Sequence, residues 1–157
     1  MTDTEFRRPL SEAEALSIMP LARELASQSE WKDVEFDAAK TYEEILRWTQ
    51  MSIRSPDLFF LRCAIRDNII LGVVAATLST PFFSSTPVAF DHILYVRKDA
   101  RRLRIGPTLV RDYVEWARSH GAKEVMMTIT SEHSPALVRF FARSGFRVTG
   151  TAFRKTL

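Results

Sequence analysis

The chain has 157 residues, 46% of them hydrophobic and 26% charged, with 22 basic and 19 acidic side chains for a net charge of +3. That is enough chain for one domain with its own core and too little net charge for a dedicated nucleic-acid binder. A single cysteine rules out an intramolecular disulfide and a cysteine-based metal site. The N-terminus "MTDTEFRRPLSEAEAL" is polar, and no apolar run approaches the ~20 residues of a membrane helix. A soluble cytoplasmic protein with no membrane partner and no metal is expected. No repeat or Gly/Ser/Pro linker divides the sequence, so residues 1–157 read as one domain.

In chain order, Ser11 and Glu14 have capping-box spacing ahead of Ala15, Leu16, Ile18 and Met19. Pro20 should break or kink this helix before "LARELASQ" continues it. "SEWKDVEFDAAK" (29–40) reads as a loop. A second capping box at Thr41 and Glu44 leads into Ile45, Trp48 and Met51 at helical spacing. "DLFFLRCAI" (57–65) and "IILGVVAATLS" (69–79), joined by a turn at 66–68, predict a hairpin. After a Pro-bounded loop at 80–87, "VAFDHILYV" (88–96) predicts a central strand.

A helix follows, with Leu109, Tyr113 and Trp116/Ala117 as its apolar stripe. Arg111, Asp112, Glu115 and Arg118 face out, and Gly121 sits at its C-terminal end. "EVMMTIT" (124–130) predicts a strand, 134–144 a helix closed by Gly145, and "FRVTGTAFRKT" (146–156) a last strand. The order implies a mixed, mostly antiparallel sheet flanked by helices, an α/β fold. A right-handed crossover makes the strands at 88–96 and 124–130 parallel.

The stretch "RRLRIGPTLV" places three arginines in four positions between a strand's carboxyl end and a helix N-terminus. Unpaired N–H groups and the helix dipole make that location attractive to phosphate. Nucleic acid is the competing reading of the arginines. The small net charge and the acidic 30–44 region argue against it.

Two blocks resemble the GNAT superfamily of acyl-CoA-dependent N-acyltransferases. In "LYVRKDARRLRIGPTL", Val96 matches that family's strand end, Arg101 its first loop position and Gly106 its final loop glycine, while Arg104 replaces the first glycine. In "HSPALVRFFARSGF", His133 stands at a usual Asn, Ala136 and Gly145-Phe146 match, and Phe141 replaces a Tyr that commonly protonates the departing thiolate. The resemblance implies a splayed parallel strand pair holding acetyl-CoA. Leu94, Tyr95 and Val96 would hydrogen-bond its pantetheine arm. Arg101, Arg102, Leu103, Arg104, Ile105, Gly106, Pro107 and Thr108 would hold its pyrophosphate. Phe141 would lie at the cofactor, and His133 would either touch it or cap the helix at 134–144.

For the base, strand alternation puts Phe90, His92, Leu94 and Val96 on one face and Asp91, Ile93 and Tyr95 on the other. His92 occupies the position where the family often has a Glu, and imidazole, with an unperturbed pKa of ~6.5, suits a base at neutral pH. Its alternative is a histidine hydrogen-bonded within the sheet. Asp91 is the other candidate base, or else a structural carboxylate paired with an arginine. Cys63 shares parity with Phe59, Leu61 and Ile65, which makes it a core residue. His120, in a helix's last turn, has no assigned role. Trp31, Phe36, Trp48, Phe82 and Phe83 wall an acceptor pocket or, for the tryptophans, belong to the core.

The activity these features imply is N-acetyl transfer from acetyl-CoA to a small-molecule or protein amine. The alternative is a CoA-binding regulatory domain with weak catalysis or none. A homodimer is compatible with either.

Overall fold

Five strands line up side by side in chain order: β1 (Glu5–Arg7), β2 (Phe59–Arg66), β3 (Ile69–Ser79), β4 (Val88–Val96) and β5 (Glu124–Met126). Every neighbouring pair is antiparallel except β4 and β5, which are parallel. The computed structural model describes residues 3–129, 134–150 and 153–155. The mixed sheet and its parallel pair are those expected from the sequence.

Helices cover both faces. On one side lie α1 (Glu12–Leu16), α2 (Met19–Gln28) and α3 (Ala38–Arg54). They contribute Ala15, Ile18, Leu21 and Ile45 to a core shared with Phe59, Leu61, Cys63, Val73 and Ile93 of the sheet. On the other side lies α4 (Ile105–Ser119). Its stripe Ile105, Leu109, Tyr113 and Ala117 is fully buried against Phe60, Ala64, Val74, Ala76 and Ala89. Burying a large apolar side chain is worth about 1.5–3 kcal/mol, so this stripe, rather than intrinsic propensity, holds α4 in place. α5 (Pro135–Arg143) completes the elements.

The local signals acted mostly as expected. Ser11 accepts the Glu14 N–H at 3.1 Å. The Glu14 carboxylate turns instead to the Leu10 N–H at 2.7 Å and to both terminal nitrogens of Arg7 at 2.8 Å, tying α1 to β1. The chain breaks after Leu16, and Pro20 falls in the first turn of α2. The β2–β3 turn places Asp67 and Asn68 at φ 52° and 60°, the left-handed pair that matches the twist of a two-residue hairpin.

Several expectations are corrected. α3 starts at Ala38, so the loop at 29–40 is shorter than expected and Thr41 is not its cap. Asp37 caps it, accepting the Lys40 N–H at 2.9 Å, while the Thr41 hydroxyl donates back to the Asp37 carbonyl. An Asp followed by Ala-Ala-Lys starts a helix as readily as a Thr. β1 was not foreseen, because its three residues take their order from β2 and not from any periodicity of their own. Asp112 is not free in solvent but pairs with Arg62 at 3.1 Å.

β5 stops at Met126 instead of running to residue 130, and no strand forms over 146–150 or 153–155. Val148 and Phe153 are 83% and 95% exposed. Among the described residues β5 offers a ladder of only three residues, and Gly150 interrupts the alternation that a last strand would need.

One glycine sets how closely α4 approaches the sheet. A Cβ on Gly72 of β3 would stand 2.8 Å from Ile105 Cγ2, 3.2 Å from Leu109 Cδ1 and 3.2 Å from the Tyr95 carbonyl. We expect Gly72→Ala to destabilise the protein by about 1–3 kcal/mol through overpacking, measured by urea unfolding. An unchanged midpoint would show that α4 can shift without loss.

Candidate active site

β4 carries one residue more than β3 can pair. Ala75 faces Ile93 and Ala76 faces Asp91, so His92 is left over as a β-bulge. The bulge overturns the expected alternation. Leu94 and Val96 pack with Ala89 on the α4 side, whereas Ile93 and Tyr95 face α1–α3. His92 joins the latter face. Its ring lies 6.1 Å from that of Trp48 and 5.9 Å from that of Phe59, nearly parallel to both, and its Nε2 is 3.1 Å from the Thr77 hydroxyl. His92 therefore does not share a face with Leu94; Asp91 does.

The two neighbours are tuned in opposite senses. Partial burial, reinforced by the Arg47 charge and opposed by Glu44, lowers the His92 pKa below its ordinary 6.5, so the ring is neutral at pH 7. Burial pushes Asp91 up to about 6, against the lowering effect of hydrogen bonds from Thr128 and from its own N–H. Asp91 Oδ1 accepts the Thr128 N–H at 3.0 Å. That contact, and not an arginine, satisfies the carboxylate.

The parallel ladder joins Val88 to Glu124, Ala89 to Val125 and Phe90 to Met126, then ends. Tyr113 of α4 donates its hydroxyl to the Met126 carbonyl at 3.2 Å. From residue 92 onward β4 keeps β3 on one side and, among the described residues, has no ladder partner on the other. The expected parting of the two strands is present, and Leu94, Tyr95 and Val96 border it.

β4 leads through a 3₁₀ turn (Lys98–Leu103) into α4. No side chain caps α4, so the N–H groups of Ile105 and Gly106 have no intrahelical partner, and Pro107 has none to offer. Gly106 has an ordinary backbone; a Cβ there would meet nothing nearer than Val96 Cγ2 at 3.9 Å. Arg104 precedes the helix at φ 58°, ψ 18°, left-handed backbone that would suit glycine.

The arginines divide. Arg101 folds back, its Nε 3.2 Å from the Val96 carbonyl and its guanidinium 5.7 Å above the Tyr95 ring. Arg102 and Arg104 are exposed and form no side-chain hydrogen bond or ion pair among the described residues. Leu103 is partly exposed, and the Thr108 hydroxyl donates to the Arg104 carbonyl. The Tyr95 hydroxyl is buried near Glu24 and has no hydrogen bond that meets ordinary geometry among the described residues; burial and that carboxylate push it up to about 12.

The remaining candidates scatter. His133 lies outside the described residues; the cap of α5 is Ser134, which accepts the Leu137 N–H. Phe141 is buried, its ring 5.1 Å from Phe140 and 5.5 Å from Phe146. Cys63 is in the core, as expected. Of the aromatic residues considered for an acceptor wall, Trp48 alone stacks on His92. Phe36 lies under Arg23, Trp31 lies under Arg154, and Phe82 and Phe83 form an exposed edge-to-face pair.

Two surface clefts, of about 330 and 350 Å³, lie away from β4. The first runs along β1, β2 and Trp116, and the second lies in the α2–α3 loop. Neither contains His92, Asp91 or an arginine of the 101–104 run. Among the described residues no group of three or more His, Cys, Asp or Glu side chains could hold a metal, and no helix is long and apolar enough to cross a membrane.

Thr77, Thr128 and the Tyr113 hydroxyl are the participants that motifs did not reveal. Only the strand register could have pointed to them.

A family model described as the acetyltransferase (GNAT) family matches residues 21–146. No curated protein matches the chain. Among solved structures, an acetyltransferase from Trypanosoma brucei is 21% identical with a TM-score of 0.70, covering 99% of this chain and 100% of that one. Glucosamine-6-phosphate N-acetyltransferase from Arabidopsis thaliana is 14% identical with a TM-score of 0.75, covering 98% of each chain. An aminoglycoside acetyltransferase from an uncultured soil metagenomic sample, in complex with sisomicin, is 17% identical with a TM-score of 0.66, covering 99% of this chain and 95% of that one. At these identities the likeness is one of fold.

The strained backbone before α4 yields a prediction. Left-handed backbone costs a non-glycine residue about 1 kcal/mol, so Arg104→Gly should stabilise the protein by roughly that amount. Urea unfolding measures it. A loss of stability would mean that the Arg104 side chain supports the turn.

Proposed function

Because the chain belongs to the acetyltransferase (GNAT) family, we propose that it is an N-acetyltransferase that moves the acetyl group of acetyl-CoA to a primary amine by direct attack. Family membership makes the chain an acyltransferase; the donor and the acceptor are the proposal. The observation that carries it is the parting of β4 and β5 just after the Phe90–Met126 pair, with a helix N-terminus that no side chain caps and two arginines that have no side-chain partner among the described residues at the far end of the gap. The names of the two similar sugar-amine acetyltransferase structures support a small-molecule amine as acceptor.

The residues present fit the cofactor. The amides of Ile105 and Gly106, with Arg102 and Arg104, would hold the pyrophosphate, and Gly106 places no side chain between them. The free edge of β4 at Leu94, Tyr95 and Val96 would hydrogen-bond the pantetheine arm. Acetyl-CoA supplies a thioester whose carbonyl carbon the amine attacks, forming a carbon–nitrogen bond and breaking the carbon–sulfur bond.

His92 takes the amine's proton. The tautomer with Nε2–H donating to Thr77 leaves Nδ1 with a free lone pair, and stacking on Trp48 and Phe59 fixes the ring plane. The lowered pKa keeps that lone pair available at neutral pH. Phe141 has no hydroxyl, and a thiol of pKa ~8.5 can depart as the thiolate near neutral pH without a side-chain acid. Phe141 also favours the second reading, a CoA-binding regulatory domain without catalysis.

Turnover of acetyl-CoA against a panel of amines, followed by thiol release, separates the two. The proposal expects amine-dependent release; tight CoA binding with none supports the regulator. For a base, activity rises as pH rises through its pKa, so the acid limb of kcat should have its midpoint below 6.5. His92→Ala should remove that limb, lower kcat by ~10²–10⁴ and leave acetyl-CoA affinity nearly intact. A variant with the wild-type pH profile and kcat would place the base elsewhere.

A further inference from the structure

We propose that the Asp91 side chain is the spacer that sets the width of the gap between β4 and the segment following β5. It is thereby a positioning residue for the cofactor arm. The inference rests on the reading of that gap as the cofactor site and adds the residue that holds it open.

The argument begins with the register. Val88 faces Glu124, Ala89 faces Val125 and Phe90 faces Met126. In a parallel ladder of this register, the N–H of Thr128 would bond the backbone carbonyl of Asp91. It bonds the Asp91 carboxylate instead, at 3.0 Å. The acceptor has moved from the main-chain carbonyl to the side-chain carboxylate, which adds one carbon–carbon bond of about 1.5 Å to the reach. Segment 127–129 stays attached to β4, but at arm's length. One residue earlier the attachment is still close, and the Met126 carbonyl is held by Tyr113 from below. The strands are thus pinned at Met126 and held apart at Thr128.

The bulge at His92 makes the arrangement possible. It turns His92 toward α3 and leaves Asp91 on the α4 side with Ala89 and Leu94. Removing a carboxylate from water is costly unless its oxygens are hydrogen-bonded; Asp91 is half-buried, and its donors are the Thr128 N–H, the Thr128 hydroxyl and its own N–H. Among the described residues the titratable group that faces it from a packed element is Tyr113 of α4. With no cation opposite it, the carboxylate's fixed partner is the strand it holds.

A spacer needs an oxygen acceptor at that reach, and it does not need a charge. Asp91→Asn should keep acetyl-CoA affinity within about threefold, whereas Asp91→Ala should let Thr128 return to the main-chain carbonyl, narrow the gap and weaken acetyl-CoA binding about tenfold or more. Isothermal titration measures both. A second readout needs no ligand: in the free wild-type protein, the Thr128 amide resonance should shift with a midpoint near the Asp91 value of about 6, and Asp91→Asn should abolish that titration. Should Asp91→Ala fail to fold, Asp91→Asn and the wild-type titration still decide.

Wild-type affinity in Asp91→Ala, equal damage in Asp91→Asn and Asp91→Ala, or a Thr128 amide that ignores pH would each overturn the proposal. If unaltered protein binds no acetyl-CoA while the Thr128 amide still titrates, the proposed function fails, the positioning role falls with it, and the Asp91–Thr128 contact alone stands.

Discussion

One extra residue in β4 governs the geometry of the site. Opposite Ala75 and Ala76, β4 must fit Asp91, His92 and Ile93 where two residues would pair. The surplus residue breaks the alternation, so the consecutive residues His92 and Ile93 share one face while Asp91 and Leu94 share the other. His92 goes to the α1–α3 face, where Trp48 and Phe59 stack on it and Thr77 meets its Nε2. Asp91 goes to the α4 face, where it reaches Thr128. Without the bulge, both positions would change faces relative to Leu94 and Val96. One irregularity in a ladder thus sets the proposed proton acceptor and the proposed strand spacer side by side.

The uncapped N-terminus of α4 at the other end of the gap depends on the same sheet through Gly72. Its missing side chain lets Ile105 and Leu109 seat directly on β3. That contact brings the first turn of α4 against the end of β4, where Gly106 lies near Val96. To enter the helix from the 3₁₀ turn the chain passes through Arg104 in left-handed backbone. Local strain is accepted there, and a guanidinium gains a place beside the unpaired amides. The buried stripe of α4 supplies several kcal/mol against a strain of about 1 kcal/mol, so the helix tolerates it.

Much of this was legible in the sequence because it rests on short-range pattern. The β-branched runs at 69–79 and 88–96 gave strands with the expected bounds, and Leu109, Tyr113 and Ala117 gave the buried face of α4. The parting strands and the arginine-rich turn followed from motif and element order. The bulge was not legible, since it is a mismatch between two strands and neither strand alone encodes it. Counting alternate residues along β4 therefore put His92 on the wrong face relative to Leu94. β5 looked like a seven-residue strand because "EVMMTIT" has strand composition, but its pairing ends where the Asp91 carboxylate takes over the next rung. Asp37, Thr128 and the Tyr113 hydroxyl act through contacts that no motif records.

The account's central claim is that the gap beside β4 receives acetyl-CoA. A crystal structure of the protein grown with acetyl-CoA tests this most directly. The account predicts pyrophosphate oxygens on the amides of Ile105 and Gly106, the pantetheine arm between residues 94–96 of β4 and residues 127–129, and the thioester beside the bulge at His92. Acetyl-CoA seated instead in the cleft formed by Phe6, Arg8, Phe60 and Trp116, with the gap beside β4 closed, would contradict it.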